Sequence, residues 1–394
     1  MNISPKTEDF IQYHLQQNTP ICELLLRKSC FPEIDVPFAV QQIEGRKRAK
    51  EKLPTFFQTS QIVYPPKLAL EQCSSEKTAF LKANLLEKGN ILIDLTGGFG
   101  VDSYAFAHRF KKVIYLEKKA ELAHIAENNF QKLGAHNVCV INQDCEKWLS
   151  NTPNLEVDVV YIDPSRRNAL FQKIISLQDC EPNVIRLLPQ LQKISKRILL
   201  KASPMFDIQK GLQELPNVEQ VSVVSVENEC KELLFLTNNR KDSHSVVVNV
   251  FVYQNQQWDS FSACWDHIHQ AFSQMNLSMP QRYLYEPDAA YIKTRTYALR
   301  YQATHALLHL NSVLLTNSVL DTTFIGRKFE IQKIMTLRQL QQEKIPKANI
   351  TTRNFPMNVA QIRAKTQIAE GGDIYLFATT LLDEQKVFLM CQKV

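Results

Sequence analysis

The sequence predicts an α/β protein built around a doubly wound domain with a largely parallel sheet. Three observations lead there. Between Asn90 and Lys201 short apolar runs alternate with helical stretches, an acidic residue stands at the end of one run after another, and three of only ten glycines fall within residues 97–100. Regular alternation gives parallel strands joined by right-handed crossovers, and such sheets bind ligands at the carboxyl ends of their strands. At 394 residues the chain is too long for one ordinary core. Its 44% hydrophobic and 22% charged residues exclude wholesale disorder, a collagen-like repeat or a low-complexity array.

Residues 1–88 read as a helical N-terminal region. Phe10-Ile11 and His14-Leu15 recur at helical spacing, as do Leu24-Leu25-Leu26 with Cys22 and Cys30. Pro54, Pro65 and Pro66 interrupt it, and Ser74-Ser75-Glu76 with Thr78 marks the capped start of a helix running to Leu86. The basic run Arg46–Lys52 reads as a solvated helix face, with phosphate contact as the alternative.

The central domain is expected over 89–255. Ile91-Leu92-Ile93 leads into Asp94, Val113–Leu116 into Glu117, Val138–Ile141 toward Asp144, Val157–Ile162 into Asp163, and Ile198-Leu199-Leu200 into Lys201. Val101–Arg109 and Ala120–Leu133 read as helices between strands. Gln220–Val226 and Leu233–Thr237 follow without a helix between them, which predicts an antiparallel pair at the sheet edge. Val246–Tyr253 either extends the sheet or leads out of it. Residues 256–322 read as a connecting region, with helical texture over Ser262–Met275 and Asp288–Leu310. The last segment, 323–394, reads as a compact α/β module. Its strands are expected over Phe329–Ile334, Asn349–Thr352, Ile374–Thr380 and Val387–Cys391, and its helices over Leu337–Lys344 and Val359–Lys365.

That module holds 11 Lys/Arg against 6 Asp/Glu, and so carries five of the chain's net charge of +6. A basic module on a near-neutral chain suits a polyanion; a solvated basic face without a partner is the alternative. The nine cysteines are scattered, with no Cys-x-x-Cys pair, which argues against a disulfide framework or a structural zinc. His305 with His309, and His267 with His269, lack the Glu of a His-Glu-x-x-His site and read as surface or satisfied core residues, so no metal is expected. No apolar run is long enough to span a bilayer and no basic-then-apolar leader opens the sequence. A cytoplasmic protein without membrane contact is therefore the expectation.

The sharpest chemical signal is Asp94-Leu95-Thr96-Gly97-Gly98-Phe99-Gly100-Val101-Asp102-Ser103. Glycines at a strand–helix junction allow positive φ and close approach of a ligand to backbone N–H groups. Glu117 ends the next strand, where a carboxylate accepts both hydroxyls of a ribose. A dinucleotide site would carry a third glycine at position 103, occupied here by Ser103, and no Gly-Lys-Ser/Thr of a P-loop follows. Asp94 and Asp102 beside the turn would repel a pyrophosphate and attract a cation, which favours S-adenosylmethionine over NAD. Asp144-Cys145 is placed to receive adenine, carboxylate to amino group and N–H to ring nitrogen; a polar strand end is the alternative reading. Asp163-Pro164-Ser165-Arg166-Arg167-Asn168 closes the fourth strand. Arg166 and Arg167 suit phosphate or carboxylate contacts, or else a salt-bridged surface loop, and Lys201 reads as a further pocket wall.

At these motifs the sequence resembles the class I S-adenosylmethionine-dependent methyltransferases. Asp94-x-Thr96-Gly97-Gly98-x-Gly100 looks like their first motif, Glu117 like the ribose acid, Asp144 like the adenine-side acid and Asp163-Pro164 like the catalytic loop. The resemblance covers roughly 88–240 and implies a Rossmann-like domain with a mixed seven-stranded sheet. It also implies a cofactor site of Asp94, Thr96, Gly97, Gly98, Gly100, Asp102, Glu117, Asp144 and Cys145. Asp163, Pro164 and Arg166 would be catalytic, and Arg166, Arg167 and Lys201 would meet the substrate. The tail, with Asn349–Pro356 and Gly371–Thr379, looks like the THUMP-like domain of a group of bacterial methyltransferases. THUMP domains bind RNA, so a structured RNA such as tRNA or rRNA is implied as substrate and partner. Two departures leave the methylated atom open. Arg166 stands where exocyclic-amine enzymes place an aromatic ring, and no cysteine lies in Asp163–Asn168 or Lys201–Pro204. The same enzyme acting on a small molecule or a protein, and a non-catalytic RNA-binding protein, are the rival readings. An NAD-dependent oxidoreductase is the least favoured.

Overall fold

The computed structural model describes residues 3–151, 155–166, 176–239 and 245–394, with only the backbone of Arg166. The chain forms two compact units: residues 1–218 with 235–242, and 219–234 with 243–394.

The first unit opens with six helices: α1 (Pro5–Gln16), α2 (Ile21–Leu26), α3 (Val36–Lys52), α4 (Pro54–Gln58), α5 (Lys67–Gln72) and α6 (Glu76–Asn84). Ser4, Asp35 and Ser75 cap α1, α3 and α6 by accepting from backbone N–H groups of the first turn. The basic run on α3 keeps the expected solvated face at Lys47, Lys50 and Glu51 and departs from it at Arg46. Arg46 is buried, and its guanidinium donates to both oxygens of Glu8 at 2.7 Å, because the α3 face that meets α1 includes this position.

The parallel strands β1 (Gly89–Asp94), β2 (Phe110–Leu116), β3 (Val138–Ile141), β4 (Val157–Ile162) and β7 (Ser195–Ala202) follow, and the short β5 (Ser165–Arg166) and β6 (Cys180–Glu181) pair antiparallel in a small sheet of their own. Between them lie α7 (Val101–Ala107), α8 (Ala120–Lys132), α9 (Cys145–Ser150) and α10 (Val184–Ile194), and α11 (Ile208–Glu214) comes after β7. β1 pairs in parallel with β2 and β4, β2 with β3, and β4 with β7. β1 therefore lies centrally, buried from Leu92 to Asp94, and its carboxyl end opens between those of β2 and β4.

β8 (Val218–Val226) and β9 (Glu229–Asn238) form a hairpin through Glu227-Asn228, both at positive φ, the geometry of a two-residue primed turn. The second half of β9 belongs to the first unit and its first half to the second. The pair is not at an edge. β10 (Val247–Gln254) runs parallel beside β8, and β11 (Gln257–Cys264) pairs antiparallel with β10, so nine strands take part where seven were expected. The helix expected from Ser262 begins only at Trp265, because residues up to Cys264 are held in β11: α12 spans Trp265–Ser273.

The expected connecting region contributes strands of its own to a second sheet. β12 (Tyr283–Pro287) precedes the short α13 (Ala289–Thr294) and α14 (Tyr297–Tyr301), and β13 (Ala306–Leu307) and β14 (Leu315–Asn317) follow. With β15 (Gly326–Met335), β16 (Asn349–Arg353), β17 (Ile374–Thr380) and β18 (Lys386–Lys393) the order is β13-β14-β12-β15-β18-β17-β16. α15 (Leu337–Gln342) and α16 (Val359–Thr366) each start in a capping box. Leu340 and Ile362 pack them on a face with Leu376, Ala378 and Phe388, and Leu284, Phe329, Phe377 and Leu389 gather in a separate core.

Candidate active site

The Gly-rich turn is braced from beneath. Asp94, 1% exposed, accepts from Thr96 N at 3.0 Å and Ser103 Oγ at 2.7 Å, tying the end of β1 to the first turn of α7. Gly97 N donates to Leu116 O at 2.9 Å, and a Cβ at Gly97 would lie 2.1 Å from the Tyr115 ring. Gly100 caps α7 at φ +87°, its missing side chain filled by the Phe130 ring, to which a Cβ would come within 2.6 Å. Phe99 points down onto Phe56 and Tyr64 of the N-terminal helical region, with ring centroids 5.4 and 6.2 Å away.

Among the described residues, little covers the upper side of the turn. At Gly98, φ +56°, a Cβ would have only Thr96 O within 4 Å, at 3.9 Å. Gly98 N donates to Glu117 Oε2 at 3.0 Å, and Lys119 N donates to Oε1 at 2.8 Å, so β2 delivers its terminal carboxylate onto the turn. On the other side Asp163 N donates to Thr96 Oγ1 at 2.7 Å, which ties the loop after β4 to the same turn. Asp144 caps α9, its Oδ1 accepting from Glu146 N and Lys147 N at 3.1 Å each; among the described residues its Oδ2 has no donor. Asp144 is thus a helix cap whose second carboxylate oxygen takes no described donor. Cys145 is buried beneath it, and burial pushes its thiol up to about 12, which removes it as a nucleophile.

One expectation needs correction. Asp102 was placed beside the cofactor, but its carboxylate accepts from Ser74 Oγ at 2.9 Å and Tyr161 OH at 2.8 Å and lies 3.1 Å from Lys82 Nζ. It faces the partners supplied by residues 74–82 because the fully buried Lys82 requires a counter-ion there. Lys201, expected as a further pocket wall, donates from Nζ to Asp163 Oδ2 at 2.6 Å and to Ser74 Oγ at 3.3 Å. The calls on Arg167, and on the side chain of Arg166, lie outside the described residues. Ser103, read only as a missing glycine, proves to be the donor that fixes Asp94. Ser74 was read only as part of a helix start, and neither Lys82 nor Tyr161 was read as a site residue. The available signal was Lys82 itself, a lone cation one turn from Thr78, Ala79 and Leu86, all buried.

The charges divide accordingly. Burial raises Asp94 to about 7, with Asp102 and Asp163 adding repulsion against the lowering effect of its two donors. Desolvation also raises Asp163, although Lys201 opposes it. Asp102 moves the other way: burial would raise it, but Lys82 and Lys201 with the Tyr161 and Ser74 donors hold it below the usual carboxylate value. The crevice thus carries a buried carboxyl that is partly ionised near pH 7, and among the described residues no cation pairs with it. The open side of Gly98, the Glu117 carboxylate on it and this uncompensated charge at Asp94 fit a cationic adenosine derivative. An anionic pyrophosphate would be repelled.

Residues 77–184 match the family described as conserved hypothetical protein 95, and residues 326–393 match the THUMP domain-like family. A crystal structure of a protein from Porphyromonas gingivalis W83, described as a candidate methyltransferase, superposes over 100% of both chains with a TM-score of 0.82 and 27% identity. Over 82 residues, 21% of this chain, the sequence is 29% identical to ribosomal RNA small subunit methyltransferase D of Buchnera aphidicola subsp. Acyrthosiphon pisum (strain APS). That match spans 42% of the relative's length.

Proposed function

We propose, from the premise that this chain joins a methyltransferase domain of the class I type to a THUMP-like domain, that it transfers a methyl group from S-adenosylmethionine to a structured RNA, a tRNA or rRNA. The observation that carries the reading is the convergence on one backbone turn of Glu117 from β2 and Asp163 from the loop after β4, with Asp94 beneath. The ribosomal RNA relative and the basic C-terminal module support RNA as the substrate, and the cytoplasm as the place of work.

S-adenosylmethionine supplies an electrophilic methyl group on a cationic sulfur. Thr96, Gly97, Gly98 and Gly100 shape the backbone that receives it, and Glu117, pre-oriented by two backbone donors, takes the ribose hydroxyls. Asp144 Oδ2 and the N–H of Cys145 face the adenine edge. Asp94 contributes negative charge below the turn, and Asp102 keeps the helical support in place. Because the donor is already activated, the protein's main task is alignment. Asp163 and Pro164 would orient the acceptor atom, with the Asp163 carboxylate, steadied by Lys201, taking the proton that atom sheds. Arg166 and Arg167 would anchor a phosphate of the substrate. The basic C-terminal module would position the RNA.

Calorimetric titration of S-adenosylmethionine into the full chain tests the cofactor site. Micromolar binding by the wild type and a loss of at least tenfold in Glu117→Ala are expected, and wild-type protein that binds no S-adenosylmethionine defeats the assignment. Mass spectrometry of nucleosides from cells with and without the gene then names the methylated base.

A further inference from the structure

Within the second unit, a buried acid holds two arginines in a fixed pair. Glu286 on β12, its side chain 2% exposed, meets Arg327 on β15 and Arg353 on β16. Arg327 Nε donates to Oε2 at 2.6 Å, and its Nη2 also contacts that oxygen. Arg353 Nε and Nη2 lie 2.9 and 2.8 Å from Oε1. Each guanidinium thus turns its Nε/Nη2 edge to the acid, and the opposite edges point away from it. Arg327 and Glu286 are direct cross-strand partners, and the strands meet closely because Gly326 leaves no Cβ, which would lie 2.3 Å from Glu286 O. The Arg327 guanidinium also lies 5.7 Å from the ring centres of Phe329 and Phe377, which fixes its plane.

One arginine neutralises one carboxylate, so this trio keeps a surplus positive charge. The side chains of Arg327 and Arg353 are 30% and 41% exposed. Arg327 Nη1 donates to no described residue, and Arg353 Nη1 makes only a long 3.5 Å contact to Thr352 O. A purely structural latch around Glu286 would need one arginine, and the surplus pair presents planar donors suited to two oxygens of a phosphate.

We infer that Arg327 and Arg353, oriented by Glu286, form a phosphate-binding fork that grips the backbone of the RNA substrate. The inference rests on the RNA reading above and places one contact point of that partner on the C-terminal module. Glu286 acts here as a positioning residue.

The experiment is filter binding of unfractionated tRNA and of total rRNA to the full chain across a salt series, with S-adenosylmethionine binding measured on the same preparations. Arg353→Gln and Arg327→Gln should each weaken RNA binding about tenfold and reduce the slope of log K against log salt by about 1, with S-adenosylmethionine affinity unchanged. Arg353→Lys keeps the charge and loses the fork, so affinity should fall severalfold at nearly unchanged slope. Glu286→Gln adds positive charge yet releases both arginines. Weaker RNA binding by this variant supports the fork; equal or tighter binding, or unchanged slopes in both glutamine variants, overturns it. Wild-type protein that binds S-adenosylmethionine but neither RNA overturns the fork and the RNA substrate together and leaves the methyltransferase reading standing. Loss of S-adenosylmethionine binding in the wild type refutes that reading separately.

Discussion

Replacing Lys82 by Met tests how far the N-terminal helices belong to the site. The Lys82 side chain is fully buried and its ammonium lies 3.1 Å from Asp102, itself 13% exposed. Removing one partner of a buried ion pair costs about 3–5 kcal/mol. Here Lys201, Tyr161 and Ser74 still favour the Asp102 carboxylate, and the Met side chain refills most of the vacated volume, so about 2–4 kcal/mol is expected at pH 8. The sign of the pH dependence follows from Asp102. In the wild type its folded pKa lies below the unfolded value, so it contributes stability above that value which is lost as pH falls. Without Lys82 the burial penalty dominates and the folded pKa rises, so the variant loses stability as pH increases. The gap between the two proteins should therefore widen from pH 5 to pH 8. The assay is urea unfolding at both pH values in a Trp258→Phe/Trp265→Phe background, which leaves Trp148 to report on the first unit. A gap under about 1 kcal/mol at pH 8, or one that does not depend on pH, would refute the assignment of Lys82 as the counter-ion of Asp102.

Four further outcomes are expected. Gly97→Ala drives a methyl into the rigid Tyr115 ring at 2.1 Å; a stability loss of about 1–3 kcal/mol and a collapse of cofactor affinity should appear by thermal shift and calorimetry. Glu117→Gln keeps the size of the side chain but removes its charge, and S-adenosylmethionine should bind roughly tenfold more weakly, with the unfolding midpoint nearly unmoved. Asp163→Asn should lower methyl transfer by about a hundredfold at almost constant cofactor affinity, measured by single-turnover kinetics. Asp94 is raised to about 7, so it is partly protonated at neutral pH and a cationic cofactor should expel that proton. Calorimetry at pH 7 in two buffers of different ionisation enthalpy should register proton release on binding, and Asp94→Asn should abolish it.

Much of the sheet was legible because each strand carries its own signal. Val157–Ile162 is a β-branched run long enough to name without context, and the strand bounds observed for Ile374–Thr380 coincide with those read from the sequence. The capping residues Ser75, Thr336 and Asn358 mark helix starts through local chemistry alone. β11 was not legible: Ser260, Ser262 and Cys264 alternate with larger residues weakly, and the strand exists because β10 offers it a partner. β13 and β14 are too short to carry a period at all. At the site, the gathering of Asp94, Gly98 and Glu117 at one turn was legible, since position relative to a strand end is a sequence property. The direction of Asp102 was not, because it depends on Lys82 and Ser74, which fold against it from outside the expected motif.

Radiolabelled methyl transfer from S-adenosylmethionine to total RNA extracted from cells lacking the gene bears most directly on the whole account. Label is expected in a tRNA or rRNA band with wild-type protein, and about a hundredfold less with Asp163→Asn. Label confined to protein or to small molecules, or no label in any fraction from protein that binds the cofactor, would contradict it.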